Sequence, residues 1–169
     1  MIEGLALTLL NTLAAYLFEG ALEYSVNVRI DGAPSWYMVR EDEMICSNAY
    51  LDGSYSQVDY LKMSVHRKLE SQLQDGLDRS AYENFENISE NSEKEIVHKF
   101  KNDPKLSSFV KNSTEFKHIV YREDEGRIFA KGCIKNSKII TYIKERFVSA
   151  KKDIAIYKSN KAFDELESE

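Results

Sequence analysis

The sequence predicts an α+β fold: a small antiparallel sheet packed against a long helix in the order strand-helix-strand-strand-helix, with an extra apolar helix at the N-terminus. Three observations predict it. Val58, Leu61, Val65, Leu69, Leu73 and Leu77 recur at spacings of three and four, which lays one apolar stripe along a helix. Segments 116–122 and 127–134 flank Glu123-Asp124-Glu125-Gly126, a hairpin signature. Ile139, Ile140, Ile143 and Phe147 then follow Asn136, whose side-chain oxygen is suited to cap a final helix.

Taken in chain order, residues 5–18 are apolar except for Thr8, Asn11 and Thr12, and Glu19-Gly20 stops the run. At roughly 1.5 Å per residue such a helix falls short of the roughly 30 Å hydrocarbon layer. A secretory signal opens with Lys or Arg, whereas Glu3 stands here, so an export signal would be atypical. The apolar face of Leu5, Leu9, Leu13 and Leu17 suits a membrane anchor or a protein interface, and both readings stay open. Segment 23–30 alternates as a strand does, ended by Asp31, Gly32 and Pro34. Segment 36–39, the charged turn 40–43 and segment 44–51 are expected to form a hairpin.

Beyond the long helix, 83–92 reads as a loop or frayed helix. Ser92 and Glu95 have the spacing of a capping box for a short helix that Pro104 would stop. The expected organisation is an apolar helix at 1–22, an α+β domain at 23–150, and a tail at 151–169 that docks late or on a partner.

Composition narrows the function classes. The 169 residues, 43% hydrophobic and 30% charged, suit one folded domain. A net charge of −5 removes the electrostatic basis for a nucleic-acid partner, so none is expected. Cys46 and Cys133 are too few for a disulfide scaffold and too isolated for a zinc site. They form one bridge in an oxidising compartment or remain buried thiols, and the sequence does not choose.

No site for chemistry stands out. The acidic groups 41–43 and 123–125 sit at expected hairpin tips, where solvation leaves carboxylates nothing to split their pKa values. His66, His98 and His118 lack the spacing that puts two ligands on one helical face. Neither a Gly-rich phosphate loop nor a nucleophile elbow is present, and no catalytic residue, cofactor or metal is expected. The 10 tyrosines are more suggestive, because the ring buries area while the hydroxyl keeps a polar partner, as wet protein contacts require.

At Gly32-Ala33-Pro34-Ser35-Trp36 the chain resembles the Pro-x-Trp opening of the LPP-twenty-type lipoprotein family of bacterial envelopes. The family continues with a strand, a Gly-containing turn, a long helix, a charged connector, a strand-turn-strand unit and a closing helix. The matching places here are 44–51, Asp52-Gly53, the stripe from Val58, the connector to Asn112, 116–134 and 136–147. Members include surface lipoproteins, a secreted virulence factor and flagellar proteins that form rings or a basal disk around the motor. The resemblance implies action by oligomerisation and no catalytic residues. Lipoprotein members carry an early Cys, whereas the first here is Cys46, so lipid attachment is not expected.

The function expected is therefore that of a non-catalytic structural protein of the cell envelope or flagellum, periplasmic or outer-membrane-associated. It would act as a homo-oligomer or with other envelope or flagellar proteins, and residues 1–22 would supply any membrane association. Interface candidates are Leu5, Leu9, Leu13, Leu17, Trp36, Tyr37, Tyr157 and Phe163. A small-ligand or lipid-binding module, with its pocket between sheet and helix, is the second reading, and an unrecognised enzyme the third.

Overall fold

In a computed structural model, the structure describes residues 30, 32–85 and 103–167. The elements are β1 (Met44–Asp52), α1 (Val58–Phe85), α2 (Leu106–Ser113), β2 (Glu115–Arg122), β3 (Arg127–Lys135) and α3 (Asn136–Glu167). One 3-10 turn, Tyr55–Gln57, leads into α1, and another, Glu123–Glu125, joins β2 to β3. The three strands form one antiparallel sheet in the order β1-β3-β2. This is the α+β class expected, with a small sheet against a long helix.

The β2–β3 hairpin and the stripe of α1 stand where the periodicities place them. Leu61, Val65, Leu69, Leu73 and Leu77 of α1 are buried against Ile45, Ala49, Ile128, Ala130 and Ile134 of the sheet. Each buried aliphatic of this size contributes about 1.5–3 kcal/mol, so this layer is the main source of stability. Gly132, on the central strand, allows the helix to come close. A Cβ built there would stand 2.7 Å from Val65 Cγ1 and 2.8 Å from Thr114 Cγ2, so the contact needs glycine.

Strand β3 does not alternate between buried and exposed residues. Every residue from 128 to 134 is buried, because a second layer covers the face turned away from α1. That layer is the strap formed by residues 32–43. The expected strand over 36–39 is not formed: Tyr37 N donates to Pro34 O at 2.9 Å and Val39 N to Trp36 O at 3.2 Å, which are reverse-turn bonds. Proline fixes φ and favours such turns, which outweighs the strand preference of the aromatic residues after it. β1 therefore has no hairpin partner in the strap and pairs with β3 along its whole length.

α2 lies in the connector, in a stretch where the sequence predicts no element. A turn precedes it, in which Asp103 Oδ1 accepts from Lys105 N at 3.0 Å and Asp103 O from Leu106 N at 3.1 Å. α3 begins at Asn136, but the expected side-chain cap is not made. Asn136 Oδ1 is buried without a hydrogen-bond partner, and the backbone N–H donates instead to Glu43 O at 2.9 Å. The helix continues without a break across 150–151, where the sequence placed a tail. The apolar N-terminal helix, the strand over 23–29 and the short helix after Ser92 lie outside the described residues. Among those described, no helix is long and apolar enough to cross a membrane.

Candidate functional site: the strapped face of the sheet and the projecting helix

The strap is held by a lysine on the central strand. Lys131 alternates with Phe129 and Cys133 toward the strap, and its side chain is fully buried. Its ammonium donates to Glu41 Oε1 at 2.8 Å, to Trp36 O at 3.3 Å and to Val39 O. An ammonium has three N–H donors, and these three oxygens use them all. The hydrogen bond and charge of Lys131 hold the Glu41 carboxyl below the usual carboxylate range.

Aromatic packing completes the cover. Trp36 stacks on His118 of β2, with centroids 4.6 Å apart and planes 21° from parallel. Tyr37 meets the edge of Phe129 at 5.3 Å, and its backbone oxygen accepts from Asn48 Nδ2. Burial, with a smaller contribution from Tyr50, pushes the Tyr37 hydroxyl up to about 12. Beside this cluster, Cys46 and Cys133 occupy directly paired positions of β1 and β3, with Cα atoms 4.0 Å apart, and form a disulfide. The open choice between bridge and free thiols thus resolves as a bridge.

A second polar cluster anchors α3. Asp103, with its side chain 2% exposed, accepts from Tyr142 Oη at 2.6 Å and from Arg146 Nε at 2.5 Å. Burial pushes the carboxyl up, but the hydrogen bonds from Arg146, Tyr142 and the Lys105 N–H outweigh it and leave the group below its ordinary value. Tyr142 also stacks on Phe109 at 4.2 Å. Past this anchor α3 runs outward, and every residue from 155 to 163 is exposed.

The interface candidates divide between these places. Tyr37 is 3% exposed and has almost no surface to offer a partner, because the strap folds it inward onto Phe129. Trp36 is half-buried on His118. Tyr157 and Phe163 stand on the outer part of α3 at 62% and 63% exposure, far from the strap in sequence, while Leu5, Leu9, Leu13 and Leu17 lie outside the described residues. Val148 and Ile156, exposed on the same helix, are missing from that set. The spacing of eight residues from Val148 to Ile156 and of seven from Ile156 to Phe163 was the signal available.

Among the described residues no group of three or more His, Cys, Asp or Glu side chains is placed to hold a metal. Between sheet and α1 the space is occupied by side chains at or near zero exposure. An open depression of about 390 Å³ is lined by Arg67, Glu70, Ser71, Gln74 and Asp75, all polar residues of α1.

No family model, curated protein or solved structure matches the chain.

Proposed function

We propose that the protein is a non-catalytic assembly component of a bacterial cell envelope, in the periplasm or at the outer membrane, and that it works by contacts with its own kind or with envelope or flagellar partners. The observation that carries this reading is the run of large apolar side chains on the outer part of α3. Val148, Ile156, Tyr157 and Phe163 are between 50% and 67% exposed, on a helix that extends past the domain's core. A helix of this kind draws most of its stability from packing, so its exposed apolar residues favour a partner.

Two further features support the reading. The Cys46–Cys133 bridge suits an oxidising compartment, as the envelope outside the cytoplasmic membrane is. The two buried polar clusters spend their donors and acceptors on holding the strap and α3, which is structural work. The likeness to the LPP-twenty-type family rests on the Pro34-Ser35-Trp36 motif and the order of elements, and it points to the same mode of action.

Light scattering over a range of concentrations tests the proposal. A discrete oligomer, or a stoichiometric envelope partner retained through purification, is expected. A chain that stays monomeric at high concentration and retains no partner would overturn it.

A further inference from the structure

Three of the four large exposed apolar residues of outer α3 share one side of the helix, with Tyr157 on the opposite side. At about 100° per residue, Val148, Ala155, Ile156, Ser159, Ala162 and Phe163 fall within a sector of roughly 120°, which Lys152 shares, with Lys144 and Glu145 at its basic end. The centre of that sector lies roughly 150° from the side that buries Ile139, Tyr142 and Ile143. The stripe thus points away from the domain that anchors the helix, and the same domain cannot cover it.

Charge along the same helix is polarised. Residues 144–152 hold the cations Lys144, Lys151 and Lys152, besides the Arg146 that Asp103 engages, against the single acid Glu145. Residues 160–167 hold Asp164, Glu165 and Glu167 against the single cation Lys161. Two such helices side by side in parallel would set like charges together. Side by side and antiparallel, the basic half of each meets the acidic half of the other.

From this complementarity we infer that the stripe of α3 is the docking surface for a second copy of the chain, the two helices pairing antiparallel about a two-fold axis between Ala155 and Ile156. The register follows from the apolar spacing. Val148 of one chain then lies across from Phe163 of the other, Ile156 across from Ala155, and Lys144 across from Glu167. Large residues meet small ones at the centre, and opposite charges meet at the ends. A two-fold interface of this kind is self-complementary and closes at two chains. The inference names the partner and surface for the assembly role proposed above, and rests on that role.

Engineered thiols test the register, because the chain's two native cysteines already pair with each other. Val148→Cys and Phe163→Cys proteins are made separately and oxidised alone and as an equimolar mixture. The mixture is expected to give heterodimer in roughly tenfold excess over either homodimer, as effective concentration across a formed interface dictates. Preferential homodimers of Val148→Cys would overturn the antiparallel arrangement. In parallel, Ile156→Glu, an exposed change with the Cys46–Cys133 bridge and helical circular dichroism as controls for folding, is expected to weaken the dimer by roughly two orders of magnitude, since each dimer carries the lesion twice. An oligomer that survives Ile156→Glu would overturn this surface and leave the assembly role standing on another. A wild-type chain that is monomeric would overturn the pairing, and if it also retains no partner, the assembly role with it. Loss, on Ile156→Glu, of a complex with a different protein would overturn the second copy as occupant.

Discussion

Lys131 Nζ lies 2.8 Å from Glu41 Oε1, the lysine side chain wholly buried and the carboxylate side chain 32% exposed. The pair joins the central strand to the strap across 90 residues of sequence. Removing the carboxylate's charge leaves a buried ammonium with carbonyl partners only. Glu41→Gln is expected to destabilise by about 1–3 kcal/mol, read by urea denaturation. Combining it with Lys131→Met should recover most of that loss, because an apolar side chain of similar length removes the need for partners. A double variant less stable than Glu41→Gln would contradict this account.

The same pair sets a dependence on acid. The folded-state value of Glu41 lies below its ordinary 4.5, so the unfolded chain takes up the proton first as pH falls. Its contribution is present above 4.5 and is lost as pH falls through the folded value. The stability gap between wild type and Glu41→Gln should therefore narrow below pH 4.5.

His66 titrates in a different window. Burial, and then the charges of Lys111 and Lys62, hold its imidazole below 6.5, and its buried Nε2 has no hydrogen-bond partner. Below pH 6.5 the unfolded chain binds a proton here that the folded chain does not. Stability is thus expected to fall as pH drops from 6.5 toward the folded value, and His66→Gln should flatten that part of the profile. An NMR titration placing the imidazole above 6.5 would rule this out.

Much of this layer could be read from the sequence, and the reasons differ from element to element. The α1 stripe announced itself because a helix with one buried face repeats its apolar residues at the period of that face, and the β2–β3 pair because the turn at 123–126 separates two apolar-rich runs. The strap did not, because Trp36 and Tyr37 favour strands locally while Pro34 and the reach of Lys131 from β3 decide the outcome. A lysine in the second layer looks like a solvent-facing residue until its three oxygen partners are brought to it by the fold. α2 was missed for another reason: eight residues containing three serines and an asparagine carry little helical signal, and Asp103 acts through contacts with Tyr142 and Arg146 some 40 residues on.

Gly132 makes the approach of α1 testable in the other direction. Gly132→Ala forces Val65 and Thr114 to give way at contacts of 2.7 and 2.8 Å. Overpacking of this kind costs about 1–3 kcal/mol. A drop in the thermal midpoint is expected, partly relieved by Val65→Ala in the same chain.

Reducing the Cys46–Cys133 bridge releases a loop spanning 87 residues of sequence separation. By loop-closure entropy this amounts to roughly 4.5 kcal/mol, near the upper end of what native disulfides contribute. The Cys46→Ala, Cys133→Ala chain is therefore expected to unfold at markedly lower urea than the oxidised protein. Equal midpoints would mean that the bridge adds nothing to the folded state.

The position of that bridge has one more outcome. It encloses α1, α2 and β2 within a single covalent ring, leaving, among the described residues, the strap, the outer ends of β1 and β3, and α3 outside it. A protease that cuts once between Ser47 and Gly132 opens the ring but frees neither fragment, so the strap and the projecting helix stay on one particle until an electron donor severs the sulfurs.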